Sequence, residues 1–426
     1  MTSDRPDTKA PDEAYVWIWL PGATEPVVAG RIAREGDRII FNYGQSYLER
    51  NDRIPIYEPE LPLRSGAIAP EAELSMAGCL RDAAPDAWGR RVILNRTFRR
   101  KSKDVDIAAL DELTYLLESG SDRIGALDFQ RSPSVYEPRA AQTATLEELL
   151  SAAEKVDKGV PLTPDLDQAL FHGSSLGGAR PKALIQDGDT KMIAKFSSST
   201  DTYNVVKAEY VAMRLAAKAG LNVAPVRLEH VAGKDVLLVE RFDRTKTNDK
   251  WTRKAMVSAL TLFGLDEMMA RYTSYEDLAE IIRHHFTAPK ATLHELYGRL
   301  VFNILCGNTD DHARNHAGFW DGKHLTLTPA YDICPQSRAG NVASQAMLIV
   351  GDNRTSTLAA CIEAAPNFQL GDKSAKDIIT RQTGTVREQW DDICEEAELT
   401  EVERNLFGRR IFLNGFIFEG APEGLR

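Results

Sequence analysis

The sequence predicts an α+β protein built as two lobes, preceded by a smaller mixed α/β subdomain. Three observations carry that prediction. Short alternating strands and helical patterns mix over the first third of the chain. A strand-rich stretch around one amphipathic helix follows, and from Arg244 onward the pattern is mostly helical. We expect a disordered tail over residues 1–14, an N-terminal subdomain over 15–145, a sheet-rich lobe over 146–243 and a helix-rich lobe over 244–426. The length of 426 residues, with 43% hydrophobic and 27% charged side chains, suits two to three globular domains with sizeable cores.

The elements follow in order. Residues 1–14 are rich in Asp, Pro, Lys and Thr, which argues for disorder. Val16 to Leu20, Val27 to Ile32 and Arg38 to Tyr43 alternate as strands of a meander, punctuated by Gly22, Gly36 and Asp37. Helical patterns cover Met76 to Leu80, Trp88 to Arg99 and Ala108 to Leu117. Residues 131–143 (RSPSVYEPRAAQT) read as a linker, and helix returns at Leu146 to Lys155. A Gly-rich turn at 173–178 precedes strands at Ala183 to Gln186 and Lys191 to Phe196. A helix at Val205 to Ala219 and strands at Ala224 to His230 and Asp235 to Glu240 complete the lobe. The helical remainder is interrupted by one hairpin at residues 316–328, where Asp321-Gly322 is the turn signal.

Charge and cysteine usage narrow the function classes. With 52 basic and 62 acidic residues the net charge is −10, which disfavours nucleic-acid binding by the chain alone. One basic run stands out: Arg90, Arg91, Arg96, Arg99, Arg100, Lys101 and Lys103, read either as a solvated helix face or as a contact with nucleic acid or another protein. No two of the five cysteines lie within twenty residues of each other, so no CxxC motif or disulfide framework is implied. The polar start lacks the apolar core of a signal peptide, and no apolar run is long enough to span a bilayer. A cytoplasmic protein without membrane contact is expected.

Four segments carry candidate chemistry. The first is Gly173-Ser174-Ser175-Leu176-Gly177-Gly178-Ala179-Arg180-Pro181-Lys182, whose glycines allow backbone N–H groups to approach phosphate oxygens and whose Arg180 and Lys182 add positive charge. It lacks the GK[ST] ending of a P-loop, and a flexible surface turn is the alternative. In the second, Lys195 ends an apolar strand and Glu209 follows on a helix, the arrangement in which kinases hold nucleotide phosphates. A snorkelling strand-end lysine is the bland reading. The third runs from Val236 into Glu240-Arg241-Phe242, either a hinge that pairs with adenine or an ordinary strand end. The fourth, Asn308-Thr309-Asp310-Asp311-His312-Ala313-Arg314-Asn315-His316, contains D-x-x-x-x-N, the spacing of a protein-kinase catalytic loop. There Asp310 would accept the hydroxyl proton. The hairpin after it should return Tyr331-Asp332 to Asn315, so that Asn315 and Asp332 share a Mg²⁺ ion. His312 and His316, four apart, also match paired zinc ligands, but no HExxH is present.

GSSLGGARPKA, MIAKF, VERFDR, NTDDHARNH and LTPAYDICP, in this order, resemble the HipA family of serine/threonine protein kinases. So do Pro85 to Arg91 (PDAWGRR) and Asp122 to Leu127 (DRIGAL). The resemblance implies a two-lobed protein-kinase-like fold with a HipA-like N-terminal subdomain. It also implies ATP and Mg²⁺ as cofactors. Matched motif to motif, Gly177, Gly178, Ala179, Arg180, Pro181 and Lys182 would contact ATP, Lys195 would hold phosphates, and Glu240, Arg241 and Phe242 would form the hinge. Asp310 would be the base, and His312, Ala313, Arg314, Asn315, Tyr331 and Asp332 would line the phosphate and metal site. Ser175, or its neighbour Ser174, would be the site of inhibitory autophosphorylation. By the same resemblance the protein would be a toxin that phosphorylates an aminoacyl-tRNA synthetase. A helix-turn-helix antitoxin would neutralise it and supply most DNA contact. A small-molecule or lipid kinase, and a non-catalytic co-repressor, are the alternative classes.

Overall fold

The computed structural model describes residues 10–71, 73–98, 106–139, 144–170, 175, 178–338, 340 and 342–425. The chain packs into two compact units, one of residues 1–183 with 247–255, the other of residues 184–246 with 256–426.

The first unit opens with β1 (Glu13–Ile18), β2 (Val27–Glu35) and β3 (Arg38–Tyr43), the expected meander. It continues through α1 (Gln45–Leu48), α2 (Gly78–Arg81), α3 (Ala87–Phe98) and α4 (Glu112–Glu118) to β4 (Leu127–Gln130). The sheet order is β3-β2-β1-β4, antiparallel between neighbours. β4 was not foreseen, because its four residues are all buried and show no alternation. β1 begins at Glu13 with Ala14 fully buried, so the polar tail ends earlier than its composition suggested; residues 1–9 lie outside the described ones.

The proline-bearing segment expected as a linker is instead a packed strap. The Tyr136 ring lies 5.4 Å from Trp17 and 5.5 Å from Trp19, and its hydroxyl donates to Asp128 at 3.0 Å. Arg139 reaches the same carboxylate at 2.8 Å, opposite the fully buried Arg123. Prolines disfavour regular structure without preventing side chains from packing. α5 (Leu146–Asp157), started by a capping box between Thr145 and Glu148, and α6 (Pro164–Leu170) close this stretch.

In the second unit β5 (Lys182–Asp187), β6 (Thr190–Lys195), β7 (Val226–Val231) and β8 (Lys234–Glu240) form a sheet of order β5-β6-β8-β7. Lys182 and Ala183 themselves count with the first unit. Val236 to Val239 are buried without alternation, as a central strand covered on both faces requires. The amphipathic α7 (Val205–Lys218) is capped by Asn204, whose side chain accepts from Lys207 N–H.

Where an almost wholly helical remainder was expected, β9 (Arg244–Thr247), β10 (Lys250–Arg253) and β11 (Ala255–Ser258) come first. The Thr, Lys and Arg residues of β9 and β10 hide their strand signal, and β11 is only four residues long. In the first unit, the Arg253 guanidinium lies 3.4 Å from the centre of the Trp19 ring. Then follow α8 (Ala259–Leu262), α9 (Tyr275–His285), α10 (Pro289–Cys306), the hairpin β12 (Ala317–Trp320) and β13 (Leu325–Leu327), α11 (Leu358–Ala364), α12 (Asp372–Glu396) and α13 (Glu401–Leu406). The core of this unit joins α7, α10 and α12 through Val211, Leu215, Phe302, Cys306, Val386 and Ile393. All five cysteines are free and buried, and no described helix is long and apolar enough to cross a membrane.

Candidate active site

α10 aims the loop of acidic and amide residues. Proline at its first turn fits a position whose N–H has no helical partner, and its middle is buried on every side from Leu296 to Cys306. Gly307 ends it in the left-handed region, φ +73°, where a Cβ would meet the Ile411 carbonyl at 3.0 Å. Asn308 then bonds back to Asn303, through its backbone at 2.9 Å and its amide at 3.0 Å.

The adjacent aspartates face opposite environments. Asp310 is exposed, whereas Asp311 is buried. The Asp311 carboxylate sits 2.9 Å from His316 Nε2 and accepts the Tyr275 hydroxyl. Burial opposes its charge, yet His316 and the Tyr275 hydroxyl outweigh it and hold the carboxyl below the usual carboxylate range. Asp311 therefore braces the loop, and Asp310 is the exposed carboxylate of the two.

The β12–β13 hairpin returns the chain as the Asp-Gly turn predicted. Gly322 takes φ +99°, and Asp321 accepts from the backbone N–H groups of Lys323 and His324. The Tyr331 hydroxyl donates to the Arg314 carbonyl at 2.7 Å, and Arg314 pairs with Glu267. Asp332 adopts φ +59°, uncommon for a side chain with a Cβ and concentrated at functional positions. Its carboxylate lies 2.5 Å from the Lys195 ammonium, which also contacts Glu209 at 2.5 Å. Burial works against the lysine's charge, but the two carboxylates hold it well above the ordinary lysine range.

Of the expected hinge, the Glu240 and Arg241 N–H groups donate to the carbonyls of Pro225 and Lys191. The Arg241 side chain is buried on Asp243, at 3.0 and 2.8 Å, and Arg244 joins the same carboxylate. These contacts hold the end of the strand in place. Phe242 differs: its ring lies 5.6 Å from Tyr331 and 5.8 Å from Phe319.

The Gly-rich segment belongs to the first unit. Ser174 and Gly177 lie outside the described residues. Ser175 is buried, with its hydroxyl donating to the Asp122 carbonyl at 3.2 Å. Arg180 is half-buried, and Lys182 is buried with its carbonyl on Trp88 Nε1. In the basic run, Arg90 pairs with Glu112 at 2.7 Å and Arg96 with Asp167 at 3.6 Å, so their charges are partly spent within the unit. Arg99, Arg100, Lys101 and Lys103 lie outside the described residues.

Asp332 and Asn315 carry oxygens that suit a magnesium nucleotide. The Asp332 side chain keeps 44% of its surface exposed, and Asn315 spends its NH₂ on the Asp310 carbonyl at 3.2 Å, leaving the amide oxygen as its donor. Hard oxygens of this kind match Mg²⁺. Among the described residues no group of three or more His, Cys, Asp or Glu is placed to hold a metal; His316 is engaged with Asp311. The roles of Tyr275 and His316 escaped the sequence reading. The only signal was the doubled aspartate in the loop after α10, where a carboxylate that is buried needs partners.

Residues 19–130 match the HipA N-terminal domain and residues 174–390 the HipA-like C-terminal domain. Y4mE of Sinorhizobium fredii, named as a candidate kinase, is 26% identical over 328 residues, 70% of this chain and 72% of that protein. The serine/threonine-protein kinase toxin HipA of Shewanella oneidensis is 25% identical over 202 residues, 42% of this chain and 47% of its own. The structure of Shewanella oneidensis HipA, solved with HipB and operator DNA, covers 92% of this chain and 94% of its own, with a TM-score of 0.65 at 18% identity. The matches together define a kinase. Within that class, the chain belongs to the HipA family.

Proposed function

We propose that the protein transfers a phosphoryl group from Mg·ATP to a serine or threonine of a protein, and that it acts as a growth-arresting toxin held in check by a small helix-turn-helix antitoxin. The observation that carries the catalytic part is Lys195 held between Glu209 and Asp332, in the same unit as an exposed Asp310 braced by a buried Asp311. In this reading Asp310 takes the proton of the acceptor hydroxyl. Lys195 binds phosphate oxygens, Glu209 fixes Lys195, and Asn315 and Asp332 hold the metal. His312 to Arg314 and Tyr331 complete the phosphate side, Glu240 to Phe242 meet the base, and Gly177 to Lys182 meet the phosphates. When bound, Mg²⁺ neutralises charge on the transferred phosphoryl group.

Family membership supports the finer points. A translation component, an aminoacyl-tRNA synthetase, is the proposed substrate; the cytoplasm is the proposed site of action; and the antitoxin is the proposed DNA-binding partner. Ser175, with Ser174 as the second choice, is the proposed autophosphorylation site, where phosphate adds about −1.5 to −2 charge and ends nucleotide binding. The proposed segments are the N-terminal subdomain over 15–145, a sheet-rich lobe over 146–243 and a helix-rich lobe over 244–426.

The test is incubation with labelled ATP and a cell lysate, followed by identification of labelled proteins. A labelled synthetase and phosphate on Ser175 are expected, both absent with Lys195→Ala. Labelling of a small molecule or lipid in place of any protein would overturn the reading.

A further inference from the structure

The segment Pro85 to Arg91 has no part in the chemistry above, yet within the first unit it grips the Gly-rich segment. Gly178 N–H donates to Asp86 Oδ2 at 2.5 Å, and Trp88 N–H donates to the Gly178 carbonyl at 3.1 Å. Trp88 Nε1–H donates to the Lys182 carbonyl at 2.8 Å, and Arg91 donates to the Ala179 carbonyl at 3.0 Å. These bonds reach both ends of residues 178–182.

The grip itself is anchored. Trp88 is fully buried at the start of α3. Arg90 donates to the Pro85 carbonyl at 2.9 Å and to Glu112 at 2.7 Å, with its guanidinium 4.5 Å from the centre of the Tyr115 ring. Gly178 takes φ +94°, and a Cβ there would meet the Lys182 ammonium at 2.2 Å. A glycine in that region is the most conformationally free residue of the segment, so holding its amide removes the most disorder.

We propose that Asp86 is a positioning residue for the nucleotide: its carboxylate, locked on Gly178 N–H, shapes the backbone of residues 178–182 before ATP arrives. The inference rests on the reading that this segment meets the nucleotide's phosphates. Three physical points support it. A hydrogen bond to an ionised acceptor is roughly twice as strong as a neutral one. The bond falls on a Gly-rich backbone that otherwise pays ordering entropy at each binding event. The other three contacts from the same segment go to backbone carbonyls, so together with the Asp86 bond they fix residues 178–182 through both N–H and C=O groups.

The experiment uses the full chain with Asp86→Ala and Asp86→Asn. Mg·ATP affinity is measured by calorimetry, labelling rate at saturating ATP, and amide exchange over residues 178–182 by mass spectrometry. Asp86→Ala should weaken Mg·ATP by about tenfold or more while labelling at saturating ATP stays within about threefold of the parent, the pattern of lost preorganisation. Exchange in the segment should rise. Asp86→Asn keeps an oxygen acceptor and should fall between the two, and it carries the test if the alanine variant fails to fold. Unchanged affinity, or unchanged exchange, in whichever variant folds overturns the proposal. So does an equal fall in labelling at all ATP concentrations, which marks a purely structural role. Lys195→Ala run alongside separates the two ideas: if it binds Mg·ATP as tightly as the parent, the nucleotide-site reading fails whatever Asp86 does.

Discussion

Asp310 and Asp311 differ only in what surrounds them, and their substitutions should fail in different ways. Asp310→Asn alters an exposed carboxylate and should leave folding intact. If Asp310 is the base, phosphoryl transfer falls by about a hundredfold or more, the scale of general-base effects, with Mg·ATP affinity little changed. Full activity would end the assignment. Asp311→Asn should instead cost roughly 1–3 kcal/mol of stability at neutral pH, because it weakens the charged acceptor of two buried partners. The pH dependence has a defined sign. The Asp311 carboxyl is held below its usual range in the folded chain. Its contribution is therefore complete above the unfolded value of about 3.9 and fades as pH falls through the lower folded value. Denaturant titrations of parent and variant should differ at pH 7 and converge only below about pH 4. A gap that closes between pH 7 and 5 would contradict this account.

At the scale of elements, α7 matters because it carries Glu209. Kinases commonly control the lysine–glutamate pair by moving this helix. Here α7 is tied to the end of α12: the Tyr210 hydroxyl donates to Glu396 at 2.5 Å and Arg214 reaches the same carboxylate at 2.9 Å. Lys207 donates to the Glu398 carbonyl at 2.8 Å. Glu396 is 37% exposed, so the ion pair alone adds little and the buried apolar contact between the helices carries most of the docking. A double-mutant cycle of Tyr210→Phe and Glu396→Gln should give a coupling of about 0.5–3 kcal/mol. Turnover should fall in both single variants, because Glu209 loses its fixed position. A coupling indistinguishable from zero would free α7 from α12.

For the whole molecule, the decisive quantity is what nucleotide adds to stability. A ligand bound only by the folded chain adds about 2.7 kcal/mol at a hundredfold excess over Kd. Mg·ATP should therefore raise the melting temperature of the parent. Asp332→Asn should melt near the parent without ligand, since Asn tolerates the left-handed backbone, and should lose most of the magnesium-dependent rise as a hard anionic ligand disappears. An undiminished rise in thermal-shift measurements would argue against Asp332 as a metal ligand.

Strand alternation, the Asp-Gly turn and the all-round burial of α10 are local properties, so the meander, the hairpin and the helix leading to Asn308 were legible from the residues alone. So was the spacing from Asp310 to Asn315, and with it the family. β4 and β9 to β11 were not, because a fully buried four-residue strand, one rich in Thr, Lys and Arg, or one as short as Ala255–Ser258 lacks the period-two signal. The strap around Tyr136 was misread because prolines report backbone preference and say nothing of where a ring packs. Which of two adjacent aspartates is buried could not be read locally, since Tyr275 lies 36 residues from Asp311 and only tertiary packing brings its hydroxyl there. The same holds for Asp86, 92 residues from Gly178. Sequence determined the kinds of groups this protein carries and the order in which it carries them. Tertiary structure decided which are buried, which are paired and which remain exposed, because desolvation and hydrogen bonding depend on neighbours that the chain supplies from far away.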